Sequence, residues 1–433
     1  MLHENMPVTT EITVKGNLGV GGCDLVDLGK TYGTPLWIID EETLRDTCRR
    51  YVQSLYAVYP NSEVLFASKA LSTIATVKVI KDEGLGIDVV SGGELFIALK
   101  AGMPAEKIFF HGNNKTRQEL EEALAAKVGY VVVDSMYELD LLNTVAQAHN
   151  VKQNILIRVT PGIEAHTHEF IKTGQFDSKF GTHIDHVVEF IEEIKKRKYV
   201  DLQGIHAHIG SQILEINPFA FEVEKMCDLI VKIKQRNKIE INILNLGGGL
   251  GICYVPKEVP TAIENYTKSI GDELNYQIKK SGIKAPKLYI EPGRSIVGRA
   301  GVTIYTVGSV KEVKGIRKYV SVDGGMADNP RPITYQAKYD SAIANKPSEK
   351  KSEMVTVAGR FCESGDILLK DVHLQKIVSG DTLVVFGTGA YNYAMSSNYN
   401  QTPRPAMVMV NQGKATEIVK RETYTDLIRN MAV

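Results

Sequence analysis

Lys69 in FASKA, Asp88 in GIDVVSGGE, His111, Arg158, His208 in HAHIGSQ, glycines 247–249 in NLGGGLGI, and Glu291 with Arg294 in EPGRS each close a short apolar run. Taken singly, each has a plain structural explanation. A lysine behind a strand is usually solvated, a carboxylate before a helix usually caps it, and a histidine in an apolar run is usually a satisfied core residue. Together they carry most of the reactive side-chain types that one site needs. Lys69 has Ala and Ser as neighbours rather than charges, and a partly desolvated lysine becomes a nucleophile toward carbonyls. Asp88 could hold the cation that results. Consecutive glycines let backbone N–H groups approach an anion closely, and Ser211 could add a hydroxyl donor. The spacing is not the G-x-G-x-x-G of a dinucleotide site. A carboxylate such as Glu291, paired with a ring nitrogen, keeps the ring protonated and makes it an electron sink. With an imidazole to stack on the ring, the set describes an anionic aromatic cofactor joined to a lysine, as in a pyridoxal phosphate pocket. Sugar-phosphate chemistry fits the same residues.

Such residues need a scaffold that gathers strand ends. The runs VLFASK, GIDVVSG, KIFFHG, YVVVDS, ILIRVT, IHAHIG, ILNLGGG and LYIEPG have strand length and are rich in Val and Ile. Stretches with helical periodicity separate them, such as STIATVKVIKDEG and SGGELFIALKAG. Continuously apolar strands alternating with helices imply parallel strands covered on both faces. About eight such repeats over roughly 250 residues predict an α/β chain built on a (β/α)8 TIM-like barrel, whose chemistry collects at the C-terminal strand ends. An open doubly wound sheet seldom continues so far. After Gly301 the runs VTIYTVGSVKEV, KYVSVDGG, SEMVTVAGR and DTLVVFGTG read as strands joined by turns, hence a mostly antiparallel β domain. TEITVKGNL, near the N-terminus, reads as joining that domain. The expected division is 38–300 for the barrel and 1–37 plus 301–433 for the β-rich domain.

In this chain of 433 residues, 51 Lys and Arg balance 51 Asp and Glu, which removes the electrostatic footprint of a nucleic-acid binder. No apolar run approaches bilayer length, so no membrane partner is expected. The start MLHENMPVTTEITVKG lacks the basic flank and apolar centre of a secretory leader, and a cytoplasmic location is expected. The five cysteines are scattered without a C-x-x-C pair, which argues against a disulfide framework, a zinc cage or any other metal site.

FASKA, GIDVVSGGE, HAHIGSQ, NLGGGLGI, EPGRSIV, RPITY, CESGD and GAYNYAMSSNYN occur in this order, and the chain closes with RETYTDL at 421–427. This succession resembles the diaminopimelate decarboxylase family, within the alanine-racemase-like (fold type III) pyridoxal phosphate enzymes. The resemblance implies pyridoxal 5'-phosphate as cofactor and a homodimer with shared active sites. By this resemblance Lys69 joins the cofactor, His208 stacks on its ring, and Ser211, Gly248 and the backbone from Glu291 through Gly293 to Arg294 hold its phosphate. Glu291 also faces the ring nitrogen, Asp88 belongs to the cofactor pocket, and Tyr391 touches cofactor and substrate. Arg294, Arg331 and Tyr335 match the substrate-carboxylate group and Glu363 its ammonium partner. Cys362 matches the proton donor contributed by the neighbouring subunit. The segment HTHEFIKTGQFDSKFG resembles a mobile active-site loop. Three positions depart from the family pattern: Thr334 stands where Leu is usual, Arg360 where Pro is frequent, and Asn392 where Gly is common.

The reaction implied is decarboxylation of meso-2,6-diaminopimelate to L-lysine and CO2, the last step of lysine biosynthesis. A substrate with a distal ammonium and a distal carboxylate needs groups of both polarities, and two arginines with Tyr335 and Glu363 supply them. The rival readings are a related decarboxylase acting on D-ornithine, D-lysine or arginine, and a non-catalytic cofactor-binding homologue.

Overall fold

The computed structural model describes residues 4–163 and 178–432. The chain forms two compact units, one of Thr47–Gly251 with Pro260–Arg294 and one of Met1–Asp46 with Ile252–Val259 and Ser295–Val433. Of HTHEFIKTGQFDSKFG, residues 166–177 lie outside the described residues.

The first unit is a closed barrel of eight parallel strands: Ser62–Ala67, Gly86–Val89, Ile108–Phe110, Tyr130–Val133, Gln153–Thr160, Val200–Ala207, Ile243–Asn245 and Lys287–Ile290. Closure is made where Leu288 to Ile290 pair with Ser62 to Val64. Leu65, Phe109, Val132, Leu156, Ile243 and Tyr289 come from six different strands yet form one buried cluster, which only the barrel interior allows. Phe109 fixes it, with ring centroids 4.5 Å from Tyr130 and 4.8 Å from Tyr289. This filled interior leaves the strand ends free to carry chemistry. The crossover helices begin on caps written in the sequence. Ser91 caps Gly92–Lys100, Thr116 caps Arg117–Ala126 in a full capping box with Glu119, and Ser135 caps Met136–Ala148. Each cap contributes about 1 kcal/mol.

The second unit is a mostly antiparallel sheet in the order Ile367–Leu374, Glu353–Ala358, Arg317–Val322, Gly301–Val313, Leu36–Asp40, Ala406–Asn411 and Lys414–Val419, with Thr382–Phe386 also pairing with the long strand and Ser341–Ile343 pairing with Thr382–Phe386. Two pairings in it are parallel, Tyr319–Ser321 with Thr356–Ala358 and Ala406–Val410 with Leu36–Asp40. Glu11–Ile12, Leu18–Val20 and Cys23–Asp24 make a separate small sheet.

The units differ from a division at 38–300 over three stretches, 38–46, 252–259 and 295–300, and strand pairing and packing account for the first two. LWIID, in which position 38 falls, is wholly buried, and its edges bond to Gly301–Ile304 on one side and Ala406–Val410 on the other, so the second unit extends to Asp46. Ile252–Val259 leaves the barrel because Ile252 and Tyr254 pack with Tyr305, Tyr339 and Val385 in the core of the second unit. Among the described residues no helix is long and apolar enough to cross a membrane.

Candidate active site

Seven of the eight barrel strands carry a candidate group at or near their C-terminal end. Lys69 sits in the single turn Ser68–Ala70 just beyond Ala67, and Asp88 lies in Gly86–Val89. Glu94 ties the two segments together, since one of its oxygens accepts from Ser68 Oγ at 2.6 Å and from the Val90 N–H at 2.8 Å. Gly293 closes the turn after the last strand against the lysine segment. A Cβ there would fall 2.8 Å from Ala67 Cβ. The turns bearing Lys69 and Glu291 therefore pack directly on each other.

Glu291 is not a helix-start carboxylate. It is 6% exposed, and its Oε1 meets His111 Nε2 at 2.8 Å and Asn245 Nδ2 at 2.7 Å, while Oε2 meets His206 Nε2 at 3.2 Å. Burial alone would push its carboxyl up, but the facing imidazoles outweigh this and hold it well below the ordinary carboxylate range. Burial pushes His206 down to about 4 and lowers His111 as well, with Glu291 opposing in part. The stable arrangement is an anionic carboxylate receiving N–H bonds from neutral rings. His111, His206 and Glu291 have ligand atoms within 4.8 Å of one another, a grouping a metal could use. The direct 2.8 Å contact is instead a hydrogen bond, with no ion-sized gap between its atoms.

Asp88 is 2% exposed, and its Oδ1 has no hydrogen-bond partner among the described residues. Burial, reinforced by the charge of Glu291 and opposed by Lys69, raises its carboxyl well above the usual range. Asp88 does not cap the following helix, which starts on Ser91.

The anion side gathers Ser211, Arg294 and the glycine turn. Arg294 is buried and donates to Ser211 Oγ from Nη2 at 2.9 Å and Nε at 3.3 Å. Gly247 has φ +61, and a Cβ on Gly248 would lie 2.3 Å from the carbonyl oxygen of Glu291. The glycines are thus required by close backbone approach. They do not open a helix, however. The next one begins at Ile263, after the excursion into the second unit. His208 Nδ1 accepts the Gly248 N–H at 3.3 Å, and burial together with the cations Lys69 and Arg158 holds this ring well below its ordinary pKa. A neutral imidazole with one nitrogen engaged presents a fixed flat face.

These residues fit pyridoxal phosphate. An orphaned buried carboxyl oxygen, a glycine turn with no room for side chains, a guanidinium beside a hydroxyl, and a fixed carboxylate are donors and acceptors of the kinds that an aldehyde-bearing pyridine phosphate needs. Lys69, Asp88, His208, Ser211, Gly248, Glu291, Gly293 and Arg294 all belong to the barrel unit.

The remaining candidates belong to the second unit. Arg331 is buried, donates from Nη1 to the Tyr339 hydroxyl at 2.7 Å, and lies 4.8 Å over the ring of Tyr254. Tyr335 ends the same short helix, Arg331–Tyr335, and is half-buried. Tyr391 takes a left-handed φ of +63, uncommon for a bulky residue and costly unless its surroundings hold it. Cys362 and Glu363 stand exposed on a turn, while the other four cysteines are buried. Asp366 shapes that turn: its oxygens accept the N–H of Met326 at 2.7 Å and of Phe361 at 2.9 Å. The departures from the family pattern are accommodated. The Arg360 N–H donates to Gly324 O at 2.9 Å, a bond proline could not make, Asn392 is fully buried, and Thr334 is exposed.

Residues 42–298 match the family of the pyridoxal-dependent decarboxylase, pyridoxal binding domain. The chain is 47% identical to diaminopimelate decarboxylase of Bacillus methanolicus over 416 residues, covering 96% of both. It is 48% identical to that of Synechocystis sp., covering 98% of this chain and 92% of the other. The crystal structure of diaminopimelate decarboxylase from M. jannaschii in co-complex with L-lysine superposes with a TM-score of 0.93 at 35% identity, covering 99% of this chain and 98% of that one. The chain belongs to the diaminopimelate decarboxylase family of pyridoxal-dependent decarboxylases.

Proposed function

We propose that this protein removes CO2 from meso-2,6-diaminopimelate to give L-lysine, with pyridoxal 5'-phosphate as its cofactor. The observation that carries the reading is the Glu291 carboxylate, buried and kept anionic by N–H donors at the barrel end that also bears Lys69. When bound, the cofactor supplies an electron sink for the negative charge left at Cα once CO2 departs. Lys69 would hold its aldehyde carbon, His208 its ring face, and Ser211, Arg294 and the Gly248 turn its phosphate. Glu291 would keep a proton on the ring nitrogen, which an arginine in that place would not. Protonated Asp88 would donate a hydrogen bond within the same pocket.

For the substrate, Arg331 and Tyr335 offer donors to the distal carboxylate, and Glu363 an acceptor to the distal ammonium. Cys362 would protonate Cα, its thiol serving as the general acid. We infer a homodimer in which Cys362 and Glu363 complete the neighbour's site. Their exposure on a turn shaped by Asp366 supports this.

The test is lysine and CO2 formation by the purified protein, with and without pyridoxal phosphate, beside D-ornithine, D-lysine and arginine. Cofactor-dependent lysine from meso-diaminopimelate is expected. Faster CO2 release from any of the other three would overturn the substrate.

A further inference from the structure

Asn245 ends the strand Ile243–Asn245 and is fully buried. Its side chain makes two bonds in opposite directions: Nδ2 donates to Glu291 Oε1 at 2.7 Å, and Oδ1 accepts the Gly247 N–H at 2.9 Å. The same two segments also meet through their backbones, where the Glu291 N–H donates to Gly247 O at 2.6 Å. A carboxamide suits this place because it offers a donor at one end and an acceptor at the other. Removing it strands a buried N–H at Gly247 and takes one of three donors from Glu291. We propose that Asn245 is a positioning residue of the decarboxylation site, locking the Glu291 carboxylate to the glycine turn so that the ring-nitrogen partner and the phosphate-side turn keep one register.

The inference rests on the function proposed above and deepens it. A carboxylate that receives N–H bonds is a weaker base. In a proton shared between Glu291 and the ring nitrogen, the bond from Asn245 therefore biases the proton onto the nitrogen, where the departing charge is drawn. Losing that bond shifts the proton toward the carboxylate oxygen. Leucine fills the volume of asparagine without either contact. Aspartate keeps the acceptor for Gly247 and, protonated by burial beside the Glu291 charge, donates in place of the amide.

The experiment loads wild type, N245L and N245D with nitrogen-15-labelled pyridoxal phosphate and reads the ring-nitrogen shift, which reports its protonation without turnover. Wild type should show a protonated nitrogen. N245L should move toward the unprotonated value and lose about tenfold or more in kcat, with KM changed less than about threefold. N245D should restore both to near wild type. N245A, which also lacks both contacts, takes the place of N245L if the latter does not fold. A wild-type nitrogen shift in N245L, or equal losses of kcat in N245L and N245D with unchanged shifts, overturns the proposal and marks a purely structural side chain. An unprotonated nitrogen already in wild type overturns the reading of Glu291 and this inference with it, and is distinguishable because it appears before any substitution.

Discussion

His111 Nε2 stands 2.8 Å from Glu291 Oε1 although 180 residues separate them in the chain. The bond joins the third strand of the barrel to the last, and His206 and Asn245 approach the same carboxylate from the two strands between sequence and closure, Val200–Ala207 and Ile243–Asn245. The barrel thus converts distant strand ends into one charged group with fixed partners.

Acid stability should report the neutral state of His206. Its folded value of about 4 lies below the ordinary 6.5 because burial disfavours the imidazolium. Between about pH 6.5 and 4 the unfolded chain then binds more protons, so stability rises with pH through that window and levels above it, a span of about 3 kcal/mol. His206→Gln removes the titrating ring but keeps an N–H for Glu291. Urea midpoints measured from about pH 7.5 down to 4.5 should fall more steeply for wild type than for the variant. Parallel curves would contradict a neutral, buried His206.

The glycine turn should tolerate no side chain. In Gly248→Ala the new Cβ meets the Glu291 carbonyl, which is backbone and cannot swing aside. A loss of about 1–3 kcal/mol in stability is expected, together with weakened binding of pyridoxal phosphate in a fluorescence titration. Wild-type affinity in this variant would remove the turn from the cofactor site.

The distal end of the substrate should depend on Arg331 and Glu363 separately. Arg331→Ala and Glu363→Ala are each expected to cost about 10- to 150-fold in kcat/KM, the worth of one charge-assisted hydrogen bond. The visible absorption of bound cofactor should persist in both. Unchanged turnover of diaminopimelate by both variants would refute the assignment. The two should be measured apart because Arg331 is buried against Tyr254 and Tyr339, whereas Glu363 is exposed.

How far the sequence carried these conclusions depends on the kind of signal. The eight barrel strands announce themselves as continuous apolar runs, and Lys69, Asp88, Glu291 and the glycines stand at their ends. What these groups do to one another depends on which ends face across the barrel, and that is set by register and closure. Hence Asp88 reads from sequence as a group that could hold a cation, while the raising of its carboxyl by burial beside Glu291 is visible only in the fold. Asn245 and Asp366 carry no local mark, because what singles them out is the groups the fold brings to them, the Gly247 N–H and the Glu291 carboxylate for Asn245, the Met326 and Phe361 N–H groups for Asp366. His206 did leave a trace. In an extended run the two imidazoles of HAHIGSQ, two residues apart, share a face, so a site at His208 implied one at His206. The edge at 38 falls inside LWIID, and a strand buried on both faces looks alike in a barrel and at the centre of a sheet.

A shared site should be visible by mixing two inactive variants. Lys69→Ala removes the amine from one site and Cys362→Ala the thiol offered to the neighbour. If each site draws on both chains, an equal mixture recovers about a quarter of wild-type activity after subunit exchange, since half the dimers are mixed and each has one intact site. No recovery despite demonstrated exchange would place both groups within one chain.

The central claim concerns the amine of Lys69, and the most direct measurement is chemical. The purified protein is incubated with pyridoxal phosphate, reduced with borohydride, digested and mapped by mass. One pyridoxyl adduct is expected, on the peptide containing FASKA, at Lys69. A label on another lysine, or none, would contradict the claim.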